Sequence, residues 1–195
     1  MADDVITMIK TDHREVERMF SLMRQDDSSH PLVLPLAVAV VTAHSRAEED
    51  HVYPVVAREA GERDQARHST EEHQQAEQLG QQLLSMDPQG EGFGARLETF
   101  MRAVLHHAQE EESEILPALA SAVGQDRLRE LGQAFAARRA QELTGQGFGA
   151  GGGTGASGKT REELYDEARM LDVPGRSSMS KDELARGIQH EQSQD

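Results

Sequence analysis

Two segments of the chain place a histidine four residues ahead of a glutamate in the same setting: "HSRAEEDHVYP", His44 to Pro54, and "HAQEEESEILP", His107 to Pro117. In each, the histidine is followed by a Glu-Glu pair, Glu48–Glu49 or Glu111–Glu112, and the segment closes on proline. Residues four apart on a helix differ by only about 40° and lie one turn apart, so their side chains can chelate one ion. His44 with Glu48, and His107 with Glu111, are two such pairs. "TDHREVE" and "EEHQQAE" add His13 and His73.

Whether these groups face solvent or core is decided by their neighbours at helical spacing. Ile9, Val16, Phe20 and Met23 flank His13; Ala37, Val41 and Val55 run with His44 and Glu48; Ala76 and Leu83 with His73; Phe100, Val104 and Ala118 with His107 and Glu111. All six ionisable groups therefore lie within apolar stripes. A lone histidine on such a stripe is ordinarily a satisfied core residue. Four histidines and two carboxylates on one axis would be costly without a partner, and a metal ion removes that cost.

The segments also align as copies. His13 falls on His73 and Glu17 on Glu77 at an offset of sixty, while His44 falls on His107 and Glu48 on Glu111 at sixty-three. This duplication of a helical hairpin, each copy bringing ligands to the axis, predicts two ions. The chain has no cysteine, so the ligands are nitrogen and oxygen. Four imidazoles and two carboxylates suit iron ahead of manganese or zinc. Two glutamates offset few of the charges of a diferric pair, so an oxo or hydroxo bridge is expected, with one position open to a small ligand.

The elements that must carry these residues are helices, since apolar residues recur at three and four and alternation is scarce. The pattern predicts helices over 4–26, 33–59, 62–86, 93–121 and 125–142, with breaks at "DDSSHP", Gly61, "DPQGEG" and Gly124. The expected fold is all-α: an up-down-up-down four-helix bundle over 1–144, with the fifth helix on its outside or end. Pro54 and Pro117 should kink or end their helices. A Gly-rich linker follows over 145–158, with a reach of about 20 Å, then a small helical module over 159–195. That tail, "ELYDEARMLDVPGRSSMSKDELARGI", could form a small core from Leu164, Ala168, Leu171, Val173, Leu184 and Ile188.

Two short patterns fail on context. "GTGASGKT", Gly153 to Thr160, fits a phosphate-binding loop but has glycines where a strand should lead into it, and reads as linker. "EEDH", Glu48 to His51, fits one half of a ferritin-like carboxylate site, whose other half meets Ser113.

A net charge of -15 disfavours binding to phosphate or anionic membrane. The N-terminus shows no secretory signal, and "PLVLPLAVAVVTA" is well short of a span of roughly 20 residues, so the expected location is cytoplasmic with no membrane partner.

Taken together, His13; His44 with Glu48, Glu49 and "VYP"; His73; and His107 with Glu111, Glu112 and "ILP" resemble the hemerythrin-like HHE cation-binding proteins, over residues 4 to about 120. The resemblance implies a non-haem di-iron centre that meets dioxygen, peroxide or nitric oxide, with His13, His44, Glu48, His73, His107 and Glu111 as ligands. Oxygen-carrying hemerythrins place a second histidine four residues after that of the third helix; Glu77 stands there instead, so the chain looks less like an oxygen store. Glu17 and Glu77 could be spare ligands or solvated. His51 and Tyr53 could line the site or pack at the bundle end, whereas His30, His68, His106 and His190 are expected on the surface.

The tail resembles the helix-loop-helix units of SAP domains and of the N-terminal part of transcription terminator Rho. With nearly balanced charge, it fits a protein contact or weak nucleic-acid binding. Three functions remain open: oxidant binding or catalase- or peroxidase-like turnover in an oxidative or nitrosative stress response; a non-catalytic iron or oxygen sensor signalling through the tail; and ferritin-like storage.

Overall fold

A computed structural model describes residues 3–147 together with Leu164, Ala168, Leu184 and Gly187. The chain divides into two units, Met1–Leu143 and Thr144–Asp195.

The first unit is helical throughout. Helix α1 runs Val5–Gln25, opened by the Asp4 carboxylate accepting from the Thr7 amide at 2.9 Å. A 3₁₀ turn, Asp27–Ser29, leads into α2, His30–His51. A one-turn α3, Tyr53–Val55, and a π turn, Val56–Ala60, complete the first hairpin arm. Gly61, at φ +82°, ends that turn in a conformation other residues rarely adopt. Helix α4, Arg63–Leu84, and α5, Phe93–Glu110, make the second pair; a π turn, Glu111–Ile115, and α6, Leu116–Ala122, extend α5. Helix α7, Gln125–Gly145, follows. This is the expected all-α bundle with one additional helix, and no strand occurs among the described residues.

Packing closes the square: α1 lies on α2, α2 on α4, α4 on α5, and α5 back on α1. α7 covers the outer side of α1 and α2. There, Gly132 packs so tightly that an added Cβ would come 2.7 Å from the Asp3 carbonyl oxygen. That cover explains why α2 is buried almost all round from Ala37 to Glu48.

Two details differ from the sequence reading. α2 begins at His30 because Pro31 sits in its first turn, where no amide is needed. His30 is also buried, not on the surface: its Nε2 donates to the Met23 carbonyl at 2.9 Å, satisfying an otherwise open group near the end of α1. Near the prolines the arms do change geometry, α2 giving way at Val52 and α5 widening into its π turn at Glu111, six residues before Pro117.

The apolar core is in two parts. One, around Ile9, Val52, Leu116, Leu119 and Phe135, fills the end where α3, α6 and the start of α7 meet. The other, around Phe20, Val38, Leu83, Phe93 and Phe100, fills the opposite end. A layer of ionisable side chains separates them.

In the second unit, Leu164, Ala168 and Leu184 are buried helical residues, three of those expected in a tail core. The "GTGASGKT" stretch, His190 and the SAP- or Rho-like reading of the tail lie outside the described residues.

Candidate metal centre

The layer between the two cores contains all six residues singled out by spacing. α1 supplies His13, α2 supplies His44 and Glu48, α4 supplies His73, and α5 supplies His107; Glu111 opens the π turn after α5. All are buried, Glu48 and Glu111 at 0% exposure. His44 Nε2 lies 3.1 Å from Glu48 Oε2, and His73 Nε2 lies 3.4 Å from that same oxygen. His13 Nε2 is 3.4 Å from Glu111 Oε2, and the Nε2 atoms of His73 and His107 are 2.8 Å apart. Two groups result: His13, His44, Glu48 and Glu111, and Glu48, His73 and His107, each with one ligand atom per residue within 4.8 Å of the others.

The outer nitrogen of every ring has a carboxylate. Asp12 accepts from His44 Nδ1 at 3.2 Å, Glu49 from His73 Nδ1 at 3.2 Å, Glu72 from His107 Nδ1 at 2.9 Å, and Glu112 from His13 Nδ1 at 2.9 Å. Each link joins a carboxylate on one helical arm to a histidine on the next, so the four run α1 to α2, α2 to α4, α4 to α5, and from the π turn after α5 back to α1. A proton fixed on Nδ1 leaves the Nε2 lone pair facing inward. Four lone pairs then meet two carboxylates.

Among the six ligand-type residues alone, that arrangement brings acceptors together without a donor. Accordingly, Nε2 of His13 and of His44, Oε1 of Glu48 and both oxygens of Glu111 are buried without a hydrogen-bond partner. Cations must occupy the layer, either protons or metal. Without a metal, protons do so: burial works against a charged His44, but the Glu48 and Asp12 carboxylates outweigh it and raise its pKa to about 10. His73 is raised despite burial by Glu48 and Glu49. For Glu48, burial opposes ionisation, yet the positive charges of His44 and His73 beside it hold its carboxyl well below the usual range.

Tyr53 is part of this layer. Its hydroxyl lies 3.1 Å from His73 Nε2, 3.4 Å from His107 Nε2 and 3.5 Å from Glu48 Oε2. Burial, with the charges of Glu111 and Glu48, pushes the phenol well above its ordinary range, so it stays protonated and donates. At the duplicated position, sixty-three residues on, stands Leu116. The two halves are thus unequal. Glu77 and Glu17 lie outside the layer, paired with Arg46 at 2.6 Å and with Arg14 respectively.

Sequence reasoning missed the outer carboxylates and what holds them. A signal was there: Asp12 and Glu72 each immediately precede a ligand-type histidine and are themselves sixty apart. Arg139, on α7, donates to Asp12 at 2.6 Å, and Phe135 sets its ring edge-on to His44 at 5.6 Å.

The sequence profile of the Hemerythrin HHE cation binding domain matches residues 4–119. The chain belongs to this family. Hemerythrin domains bind metal ions, typically iron, and small ligands such as dioxygen, and the His/Glu groups just described are this hemerythrin's candidate ligands. The chain is also similar to a DNA nickase of Nostoc sp. (strain PCC 7120 / SAG 25.82 / UTEX 2576), 26% identical over 149 residues. The match covers 74% of this chain and 42% of the nickase, so the chain spans less than half of that relative. No solved structure gives a significant match. No described helix of this hemerythrin is long and apolar enough to cross a membrane.

Beside the histidines lies a partly open cavity of ≈ 30 Å³, walled on its other side by Val16, Val41, Ala76, Val104 and Leu105. It has room for a molecule of a few atoms and presents it almost no polar surface.

Proposed function

We propose that this hemerythrin holds two iron ions through His13, His44, Glu48, His73, His107 and Glu111, and uses them to bind or react with a small oxidant: dioxygen, peroxide or nitric oxide. The observation that carries this reading is the cluster of inward-facing acceptors, five of whose buried ligand atoms have no hydrogen-bond partner among the described residues. Glu48 stands in both ligand groups and would serve either ion. Bound iron would supply one-electron chemistry there.

The chain's own residues supply the rest. Four carboxylate–imidazole links fix the ring orientations and keep Nε2 deprotonated toward the metal. Two apolar cores exclude water from the layer, and the cavity beside it admits only a small guest. Tyr53 holds one proton at its Oη, within hydrogen-bonding reach of His73.

Reconstitution with ferrous iron, followed by plasma mass spectrometry and an absorption spectrum before and after peroxide, tests the reading. Near two irons per chain, with a spectrum that changes on peroxide and is lost in His107→Ala, is the expected result. No retained metal and an unchanged melt would leave the histidines a packing feature.

A second reading, a non-catalytic iron or oxygen sensor, is favoured by one observation: α7, which leads to the second unit, grips the candidate ligand His44 through Arg139, Asp12 and Phe135. Large stabilisation by iron without peroxide loss at matched iron content would select it. The DNA activity named for the Nostoc relative is not transferred to the bundle, because the chain's net charge of -15 repels phosphate; plasmid nicking by the purified chain would overturn that view.

A further inference from the structure

Three of the four outer carboxylates are neutralised by a guanidinium. Arg14 donates twice to Glu112, at 2.6 and 2.7 Å; Arg139 to Asp12 at 2.6 Å; Arg46 to Glu49 at 3.2 Å. Among the described residues, the fourth, Glu72, has none. One of its oxygens accepts from His107 Nδ1, and the other faces His68 Nε2 at 3.7 Å. His68 Nε2 in turn lies 4.0 Å from Glu110 Oε2, and the other Glu110 oxygen lies 3.5 Å from His106 Nε2.

Two His-x-x-x-Glu pairs therefore meet across α4 and α5: His68 with Glu72, and His106 with Glu110. This is the same chelating spacing as His44 with Glu48 and His107 with Glu111, set on the outside of the bundle. One atom each of His68, Glu72 and Glu110 lies within 4.8 Å of the others. Ligand atoms held by a tetrahedral divalent ion at metal distances near 2.1 Å would stand roughly 3.4 Å apart. The observed 3.7 and 4.0 Å are only slightly wider, and His68 and Glu110, at 63% and 41% exposure, are free to close. Two carboxylates balance one dication.

We propose that His68, Glu72 and Glu110 form an outer divalent-cation site, with His106 flanking it as a further donor. The ion supplies at Glu72 the positive charge that arginine supplies at Asp12, Glu49 and Glu112. Nitrogen and oxygen donors in this number suit zinc or another borderline first-row ion. The site lies beyond the two-iron reading and does not depend on it, since none of its three donors belongs to the inner layer.

Zinc alone is the probe. The full-length chain, with iron content measured beforehand, is titrated with Zn(II) by calorimetry and by equilibrium dialysis with metal analysis, alongside His68→Ala and Glu110→Gln. Both substituted groups are on the surface, so folding is expected to survive and circular dichroism checks it. Wild type should take one more zinc per chain than either variant, and residual binding at that site should be weaker by roughly tenfold or more. Equal zinc stoichiometry and affinity in all three would overturn the outer site. Because the comparison is a difference between wild type and variants, it reads the same whether or not the inner layer holds iron; an iron-free inner layer would sink the two-iron reading alone.

Discussion

A buried imidazole keeps its lone pair aimed inward only while something holds the proton on its other nitrogen. At His13 that is Glu112, itself gripped by Arg14. Glu112→Gln keeps the shape and removes the charge; iron affinity should fall roughly 10–100-fold while the melting temperature of the metal-free chain moves little, measured by competition with a chelator. The proton at His44 makes a second prediction. Its raised pKa, about 10 against 6.5, means that the stabilisation from its charged form is complete below pH 6.5 and is lost as pH climbs toward 10. Glu48, held low, contributes above its ordinary 4.5 and loses that contribution on acidification. The metal-free chain should therefore melt at progressively lower temperature from pH 7 to 10, whereas metal uptake should release protons and tighten over the same interval, which a pH-stat and a metal titration would register. Retention of full apo stability at pH 10 would argue against the His44–Glu48–Asp12 arrangement. The inner six could be read from the sequence because ionisable residues stand out on apolar stripes. Of the outer carboxylates, Asp12 and Glu72 left only their sixty-residue spacing as a signal, and Glu49 and Glu112 none for their role, because a carboxylate at the edge of a stripe looks like any solvated helix face until the neighbouring helix is in place.

At the scale of the element, α7 is the part the spacing placed least definitely, on the outside or end. Its apolar stripe is short, Leu128, Leu131 and Phe135 entering the core near its start, and close contacts complete its seat: Gly132 over the start of α1, Phe135 on His44, Arg139 on Asp12. Gly132→Ala pushes a methyl into backbone that cannot retreat, so it should cost about 1–3 kcal/mol, seen as a lower denaturation midpoint. Arg139→Leu should leave the helix seated but weaken iron binding through Asp12. An unaltered chelator competition in that variant would detach α7 from the centre and remove the observation favouring a sensor. The break near Pro54 was legible in the proline itself, whereas the early start of α2 was not: it depends on which amides go unpaired, a property of the assembled turn rather than of residue pattern.

For the whole molecule, the duplicated hairpin in the sequence corresponds to a square of four helices, and the interrupted core follows from it. Two copies of a ligand-bearing hairpin must bring their polar residues to a common level, which divides the apolar filling into an upper and a lower part. Metal removal should therefore be felt globally. With free iron at a hundred times its dissociation constant, binding adds about 2.7 kcal/mol, so the melting temperature should rise with iron concentration in the wild-type chain and not in His107→Ala.

The four carboxylate–histidine links form a closed circuit around the bundle. An open chain of contacts lets a terminal helix peel away alone; a hoop does not, since no helix at this level has only one neighbour to release. Amide hydrogen exchange around His13, His44, His73 and His107 should consequently proceed in one common opening event, at one free energy, rather than helix by helix. Guests small enough for the partly open cavity then reach it without the hoop having to break.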